Sequence, residues 1–300
     1  MKRQLKNLTI KDNFMFAAVM LDAENCKGFL ERALQIKIDH VEVSTEKNIV
    51  YHPEYKGVRL DVYAKDENNT RYNVEMQVST QSALGLRSRY YESQMDMEML
   101  LTGCEYSELP NSYVIFICDF DPFGEKKYKY TFSMECQETK RVELGDKRNI
   151  VFLSTKGEND EEVPKELVRF LKFVKADLRE SQNDFEDEYV RKIQKFVRHI
   201  KQDREMEEKY MLLEELLKDE REVGRKEGLE QGLEQGRSEG IFEGRNSGMA
   251  ESLQMFLSKF GVLPEELQKK ISEENDEKIL QDWIKTASQA ASLEEFISKM

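Results

Sequence analysis

Apolar and polar residues alternate from Val58 to Val78 in two runs, VRLDVYAK and RYNVEMQV, on either side of the turn-rich pentapeptide DENNT. Strict alternation around an Asn- and Asp-rich break predicts an antiparallel β-hairpin. Side chains two apart share one face of a strand. Val58, Leu60, Val62 and Ala64 therefore form one row, and Tyr72, Val74, Met76 and Val78 form its match. The opposite rows carry Arg59, Asp61 and Tyr63 on the first strand and Asn73, Glu75 and Gln77 on the second. A register that pairs apolar row with apolar row sets Asp61 beside Glu75. The same alternation also describes the wet face of an ordinary antiparallel sheet. Two carboxylates held side by side repel unless a cation or a proton lies between them. A hard divalent ion with oxygen ligands, Mg²⁺ or Mn²⁺, suits such a pair.

The pattern on either side of the hairpin supplies the rest of a domain. Thr9 and Asp12 form a helix-start signature ahead of Phe14, Ala17, Ala18 and Leu21, which predicts a helix over 10–21, with a second over 25–34. The run from Val41 to His52 reads as a strand that precedes the hairpin. After it, Ser79 to Ser82 offer caps for a helix through LGLRSRYYESQMDMEMLL, closed by Gly103. SYVIFICDF, Ser112 to Phe120, is a short apolar run suited to a buried strand, and DPFG turns the chain at Asp121 to Gly124. Further strands are expected at Tyr128 to Met134 and Asn149 to Leu153. The order helix, three strands, helix, strand makes an α/β core with mixed pairing. A strand–helix–strand crossover from the hairpin to SYVIFICDF makes that last pair parallel.

Beyond Pro164 the apolar spacing changes to three and four, and the remaining chain reads as an extended α-helical region. Within it glycine recurs at every fourth residue, from Gly224 through Gly228, Gly232, Gly236, Gly240 and Gly244 to Gly248. Each glycine costs a helix about 1 kcal/mol relative to alanine, so the ladder penalises helix by roughly 7 kcal/mol. Close approach of a second helix along the glycine groove is one offset. Arg, Glu, Gln and Lys fill the intervals, so the pairing would take place in water. A flexible linker with nascent helix is the other reading. Past the ladder a small helical unit follows, with Trp283 and Phe296 expected in its core. The expected divisions are 1–157 for the α/β domain, 158–222 for a helical region, 223–248 for the glycine segment and 249–300 for the small unit.

Composition adds little that bears on the hairpin. Residues 1–155 hold 21 basic and 24 acidic side chains and the remainder 25 and 35, so the net charge of −13 is gathered mostly in the C-terminal half. That balance neither excludes nucleic acid from the N-terminal half nor marks a phosphate-binding face. Cys26, Cys104, Cys118 and Cys136 are scattered without a CxxC pair, which argues for reduced thiols rather than a disulfide framework or a zinc site. The first residues lack an apolar leader core, and no stretch is long and apolar enough to span a bilayer. The expectation is a soluble cytoplasmic protein with no membrane partner. His40, His52 and His199 share no motif and are read as structural.

Asp12, RLD at Arg59 to Asp61, NVEMQ at Asn73 to Gln77, RSRYYESQ on the following helix, the link TGCEYSELP and the glycine-ladder tail occur in that order. This set resembles the Rpn-type recombination-promoting nucleases, a group also called PD-(D/E)XK nuclease family transposases. It covers residues 5 to 155 by motif and the C-terminal half by style. The resemblance implies a restriction-endonuclease-like core of helix, three strands, helix and strand. It implies a metal-dependent DNA endonuclease that hydrolyses phosphodiester bonds, promotes recombination or accompanies mobile elements. Asp61 and Glu75 would bind Mg²⁺ or Mn²⁺, with the Met76 backbone carbonyl completing the set, and Gln77 would stand in the catalytic position where the superfamily pattern has lysine. Arg87 or Arg89 would then supply the missing positive charge, and Asp12 would be a further carboxylate on the metal side. A homo-oligomer through the C-terminal helical and glycine-ladder region is expected. The alternative is a weakly active or inactive nuclease-fold module that oligomerises and binds DNA or protein.

Overall fold

A computed structural model describes residues 4–49, 58–80, 83–139 and 141–300, with backbone alone at 45–49 and 58–60. Two helices, α1 (Asn13–Met20) and α2 (Ala23–Leu34), come first. Asp22 starts α2 by accepting a hydrogen bond from the Asn25 amide at 2.9 Å, and Gln35 ends it in the left-handed conformation at φ 58°. The first helix begins three residues later than the spacing predicts. Asp12 sits at its N-cap, but its carboxylate turns back to the Thr9 amide at 2.7 Å instead of capping the helix.

Strands β1 (Val41–Ile49), β2 (Val58–Asp66) and β3 (Arg71–Gln77) follow, then helix α3 (Leu84–Met99) and strand β4 (Ser112–Cys118). His52 and the cap positions Gln81 and Ser82 lie outside the described residues. The observed N-cap of α3 is Ala83, held at φ 66°. Strands β5 (Lys129–Phe132) and β6 (Arg148–Ser154) complete a six-stranded sheet in the order β1-β2-β3-β4-β6-β5. Strand β2 runs antiparallel to both of its neighbours, β1 and β3, the strands β3, β4 and β6 run parallel, and β5 returns antiparallel to β6. The parallel β3–β4 pair is what the crossover through α3 demands.

The hairpin register is the one that the apolar rows select, with Val62 opposite Val74 and Ala64 opposite Tyr72. The DENNT turn enforces it. Asp66 accepts from the amides of Asn68 at 2.9 Å and Thr70 at 2.8 Å and from the Tyr72 hydroxyl at 2.8 Å, while Asn69 takes φ 63°.

Pairing divides the sheet into two faces. Val62, Ala64, Tyr72, Val74, Met76, Ile115 and Ile117 lie in a core with α1, α2 and the helices α4 (Lys165–Lys175) and α5 (Glu188–Gln202). Tyr63, Val114, Phe116, Cys118 and Phe152 face the other way, against Leu84, Tyr91 and Met95 of α3. Pro164 opens α4 as its spacing predicts, and the apolar sides of α4 and α5 join the first core rather than forming one of their own.

The chain separates into two compact units, 1–213 and 214–300. In the second unit Leu253, Leu257, Ile271, Leu280, Trp283 and Phe296 are buried together, so Trp283 and Phe296 are core residues as expected. Helix α6 (Arg204–Leu257) is continuous through all seven ladder glycines, followed by α7 (Glu265–Glu273), α8 (Glu277–Gln289) and α9 (Leu293–Lys299). Among the described residues no helix is long and apolar enough to cross a membrane. A Cβ built on any ladder glycine meets nothing within 4 Å. Replacing Gly232 and Gly236 by alanine is therefore expected to stabilise the helix by about 1 kcal/mol each. Thermal unfolding followed by circular dichroism checks this, and a loss of stability would show that something packs closely on the stripe.

Candidate active site

The two carboxylates of the hairpin meet where its backbone ladder stops. Regular pairing of β2 with β3 runs from Lys65–Arg71 to Val62–Val74. One residue further along, side chains take over the bonding: Glu75 Oε1 accepts from the Asp61 amide at 3.2 Å, and Asp61 Oδ2 accepts from the Met76 amide at 3.3 Å. Each carboxylate thus reaches across to the other strand. Asp61 is half-buried, whereas Glu75 is wholly buried. The N–H and C=O of one strand residue point to the same side, so the Met76 carbonyl also turns toward β2. Its thioether is buried in the opposite core.

Burial pushes the Glu75 carboxyl up to about 8, and the charge of Asp61 adds to the effect. Arg87 opposes it. Its Nη2 donates to Glu75 Oε2 at 2.8 Å, its Nη1 donates to Gln77 Oε1 at 3.2 Å, and its Nε donates to the Tyr91 hydroxyl at 2.6 Å. The guanidinium also lies 5.0 Å from the centre of the Tyr91 ring, and it remains 30% exposed. Burial, followed by the charge of Glu75, raises the Tyr91 phenol to about 12, so the hydroxyl is neutral and able to accept. Tyr91 lies in the RSRYYESQ stretch, where the sequence alone makes it a packing or supporting residue rather than a chemical one. Arg87 and Tyr91 are four apart on α3, which sets Arg87 over Glu75 of β3 and the Tyr91 ring against Phe116 of the neighbouring β4.

The remaining candidates are placed elsewhere. Arg89, two residues from Arg87, is exposed on another side of α3. The Asp12 carboxylate is bonded to Thr9, on the side of the sheet that carries α1 and α5, where its charge acts on Lys201. His40 and His199 are exposed. The end of β3 continues into a polar cluster that spacing did not signal. The Gln77 carbonyl accepts from the Asp119 amide at 2.9 Å, and the Asp119 carboxylate binds Lys11 at 3.0 Å and Lys156 at 3.4 Å. Burial works against its ionisation, but those lysines and the Thr155 hydroxyl, which donates at 2.8 Å, outweigh it and hold the carboxyl below its ordinary value.

Among the described residues no group of three or more His, Cys, Asp or Glu side chains is placed to hold a metal ion. The donor set available at the hairpin is two carboxylates and one backbone oxygen. Those groups fit a hard divalent ion that keeps several waters. Their crowding into a dry site also explains why a cationic guanidinium neutralises them here.

A pH signature follows. The unfolded chain loses the Glu75 proton near the ordinary value of 4.5 and the folded chain near 8. The folded state binds the extra proton between those values, so this contribution to stability is complete below about 4.5 and is lost as pH rises through 8. Glu92, raised to about 7 chiefly by burial, acts with the same sign. The variant Glu75→Gln is expected to flatten the alkaline fall and to gain at least about 1 kcal/mol at pH 9. Urea unfolding at pH 6 and pH 9 checks it, and an unchanged slope would contradict the assignment.

Compared with known protein families, residues 15–227 match the family described as PD-(D/E)XK nuclease family transposase. Neither the curated proteins nor the solved structures give a match.

Proposed function

The chain belongs to the PD-(D/E)XK nuclease family transposases, and on that premise we propose that it is a metal-dependent DNA endonuclease whose reacting centre is Asp61, Glu75 and Gln77, served by Arg87. The observation that carries the reading is the exchange of carboxylates across the open end of the hairpin, with Glu75 buried and raised to about 8. A carboxylate pair held this way by both strands is costly to a fold that needs no ion.

Asp61, Glu75 and the Met76 carbonyl would hold Mg²⁺ or Mn²⁺. When bound there, the ion supplies Lewis acidity toward a phosphodiester and toward water. The chain's own groups do the rest. Backbone donors fix the Asp61 and Glu75 oxygens, so little reorganisation is left for the reaction. Gln77, whose Oε1 already accepts from Arg87, keeps its amide N–H₂ to orient an attacking water by hydrogen bonding. Glutamine brings no charge, and Arg87 brings it from α3 instead. Partly exposed, its guanidinium can turn from Glu75 to the non-bridging phosphate oxygens, whose charge grows along the reaction.

Plasmid nicking by the purified chain with Mg²⁺, with Mn²⁺ and with a chelator tests the proposal. Cleavage only in the presence of ion supports it. Isothermal calorimetry adds a second readout. Because Glu75 must lose its proton, ion affinity is expected to climb between pH 6.5 and 8 and then level.

The ion pair between Arg87 and Glu75 also favours a second reading, a nuclease-fold module that oligomerises and binds DNA or protein while the guanidinium neutralises the acid permanently. Absence of any heat at millimolar Mg²⁺ or Mn²⁺, together with absence of nicking, selects that reading. Recombination, transposition and defence as biological settings all draw on the same chemistry.

A further inference from the structure

The sheet ends at β5, and the sequence of that edge is self-complementary. Read around Phe132, the segment Lys129-Tyr130-Thr131-Phe132-Ser133-Met134-Glu135 has Thr131 and Ser133 as one pair, Tyr130 and Met134 as the next, and Lys129 and Glu135 as the outermost. In an antiparallel pairing of two identical strands about a two-fold axis at Phe132, each residue lies opposite its match in that set. Small hydroxyls face each other, apolar side chains face each other, and each Lys129 faces a Glu135. Continued outward, the same register sets Lys126 opposite Glu138.

The geometry of β5 agrees with that register. Its partner β6 pairs Lys129 with Leu153, Tyr130 with Phe152, Thr131 with Val151 and Phe132 with Ile150. The Ser154 amide donates to the Tyr128 carbonyl at 2.9 Å. In an antiparallel ladder the bonding residues alternate, so Tyr128, Tyr130 and Phe132 turn their backbone groups toward β6. Lys129 and Thr131 turn theirs away from the sheet. A two-fold axis at Phe132 sets β5 against residues 132–135 of the other copy, which follow the strand, and pairs odd positions with odd positions as the outward-facing Lys129 and Thr131 require. Moving the axis by one residue would set Lys129 opposite Ser133 or Lys129 opposite Gln137 and lose the charge match.

The side chains along this edge are those of an uncovered interface. Phe132 is 44% exposed and Met134 60% exposed, and the Phe123 ring lies 5.0 Å from that of Phe132. The β5–β6 ribbon continues to a Glu135–Glu143 bridge, and Val142 and Leu144 are exposed beyond it. Among the described residues no strand pairs with the outer edge of β5. Soluble proteins protect such edges or use them.

We propose that the outer edge of β5 is a homodimer interface, in which a second copy of this chain adds its own β5 in antiparallel register about Phe132 and joins two sheets into one. The charge pattern points to a second copy as the occupant. A strand with lysine at one end and glutamate at the other, six residues apart, is complemented by a copy of itself run in reverse. The proposal is independent of the nuclease reading and of any pairing along the glycine ladder.

Sedimentation velocity on the full chain tests it. Wild type is expected to sediment at twice the 35.3 kDa chain mass. Thr131→Pro, which removes an outward amide from an edge strand, and Glu135→Lys, which sets two lysines against each other, are each expected to raise the dissociation constant at least tenfold. Lys129→Glu should do the same, although this lysine also donates to the Ala33 carbonyl at 2.7 Å, so its folding is checked by circular dichroism. Mixing Glu135→Lys with Lys129→Glu restores opposite charges in both contacts, and the mixture is expected to return to dimer. A monomeric wild type overturns the proposal. So does a dimer that Thr131→Pro and Glu135→Lys leave intact, which would place association elsewhere, such as on α6. If Lys129→Glu does not fold, those two variants decide the matter alone.

Discussion

Glu75→Gln and Asp61→Asn are each expected to lower Mg²⁺-dependent plasmid nicking about 100-fold or more, because each removes an anionic oxygen from a preorganised site. The expectation separates chemistry from folding. Glutamine at 75 keeps the size of the side chain and removes a buried charge that burial itself disfavours. The variant should therefore unfold at higher urea than wild type at alkaline pH while losing activity, a combination that general damage to the fold does not produce. Asn at 61 keeps an oxygen that can accept from the Met76 amide, so the hairpin end is expected to persist. Nicking rates for both variants equal to wild type, at matched folded fraction, would sink the assignment of the hairpin as the reacting centre. Arg87→Met belongs beside them as a control of mechanism, since it leaves the carboxylates in place and removes only the guanidinium.

The second large effect lies in the core. Phe170→Ala is expected to cost about 3–5 kcal/mol. Phe170 is wholly buried on α4, with its ring 5.4 Å from Phe29 of α2 and 5.9 Å from Tyr189 of α5. Phe29 in turn meets Phe16 of α1 at 6.5 Å, edge to face. One aromatic chain thus ties residues beyond 157 to the helices that back the sheet. Chemical denaturation of residues 1–213, the first compact unit, or of the full chain followed by near-ultraviolet circular dichroism reads the loss. A change under 1 kcal/mol would mean that α4 is peripheral to the core.

That same chain explains what could and could not be read from the amino-acid order. The hairpin register was legible because its signal is local: a period of two over seven or eight residues, with a turn whose Asp66, Asn68 and Asn69 have identifiable backbone roles. The parallel β3–β4 pair followed from connection length. The placement of Arg87 was only half legible. A cation was expected from the next helix at 87 or 89, but α3 has polar residues on both sides, and only packing against β3 decides that position 87 faces Glu75. Tyr91 reads from sequence only as packing or support, because an aromatic at helical spacing describes core packing well, and its hydroxyl bond to Arg87 is a tertiary fact. The start of α3 was illegible for another reason. Alanine in the left-handed conformation at 83 runs against its own backbone preference, so no propensity argument leads there. The division of the second half was expected at 157 and 222, from the change of apolar spacing around Pro164 and the start of the glycine ladder. Contacts divide the chain at 213, because the apolar faces of α4 and α5 are committed to the first core. The glycine segment was open between helix and linker, and it is helix, carried by the Leu, Glu, Gln and Arg residues between its glycines.

The Asp66 turn carries a consequence for how the molecule comes to be made. During folding, β2 and β3 can zip in any of several alignments, and a slip of one residue would swing Asp61 and Tyr63 into the oily layer against α1 and α2 while expelling Val62 and Ala64. Asp66 holds two amides and a hydroxyl at the closed end of the ribbon, five residues from Asp61. It acts before the sheet has neighbours to correct it, since a short hairpin forms within microseconds and long-range packing comes later. The alignment that places two acids side by side is thus chosen at the far end of the ribbon, by a residue that touches neither of them.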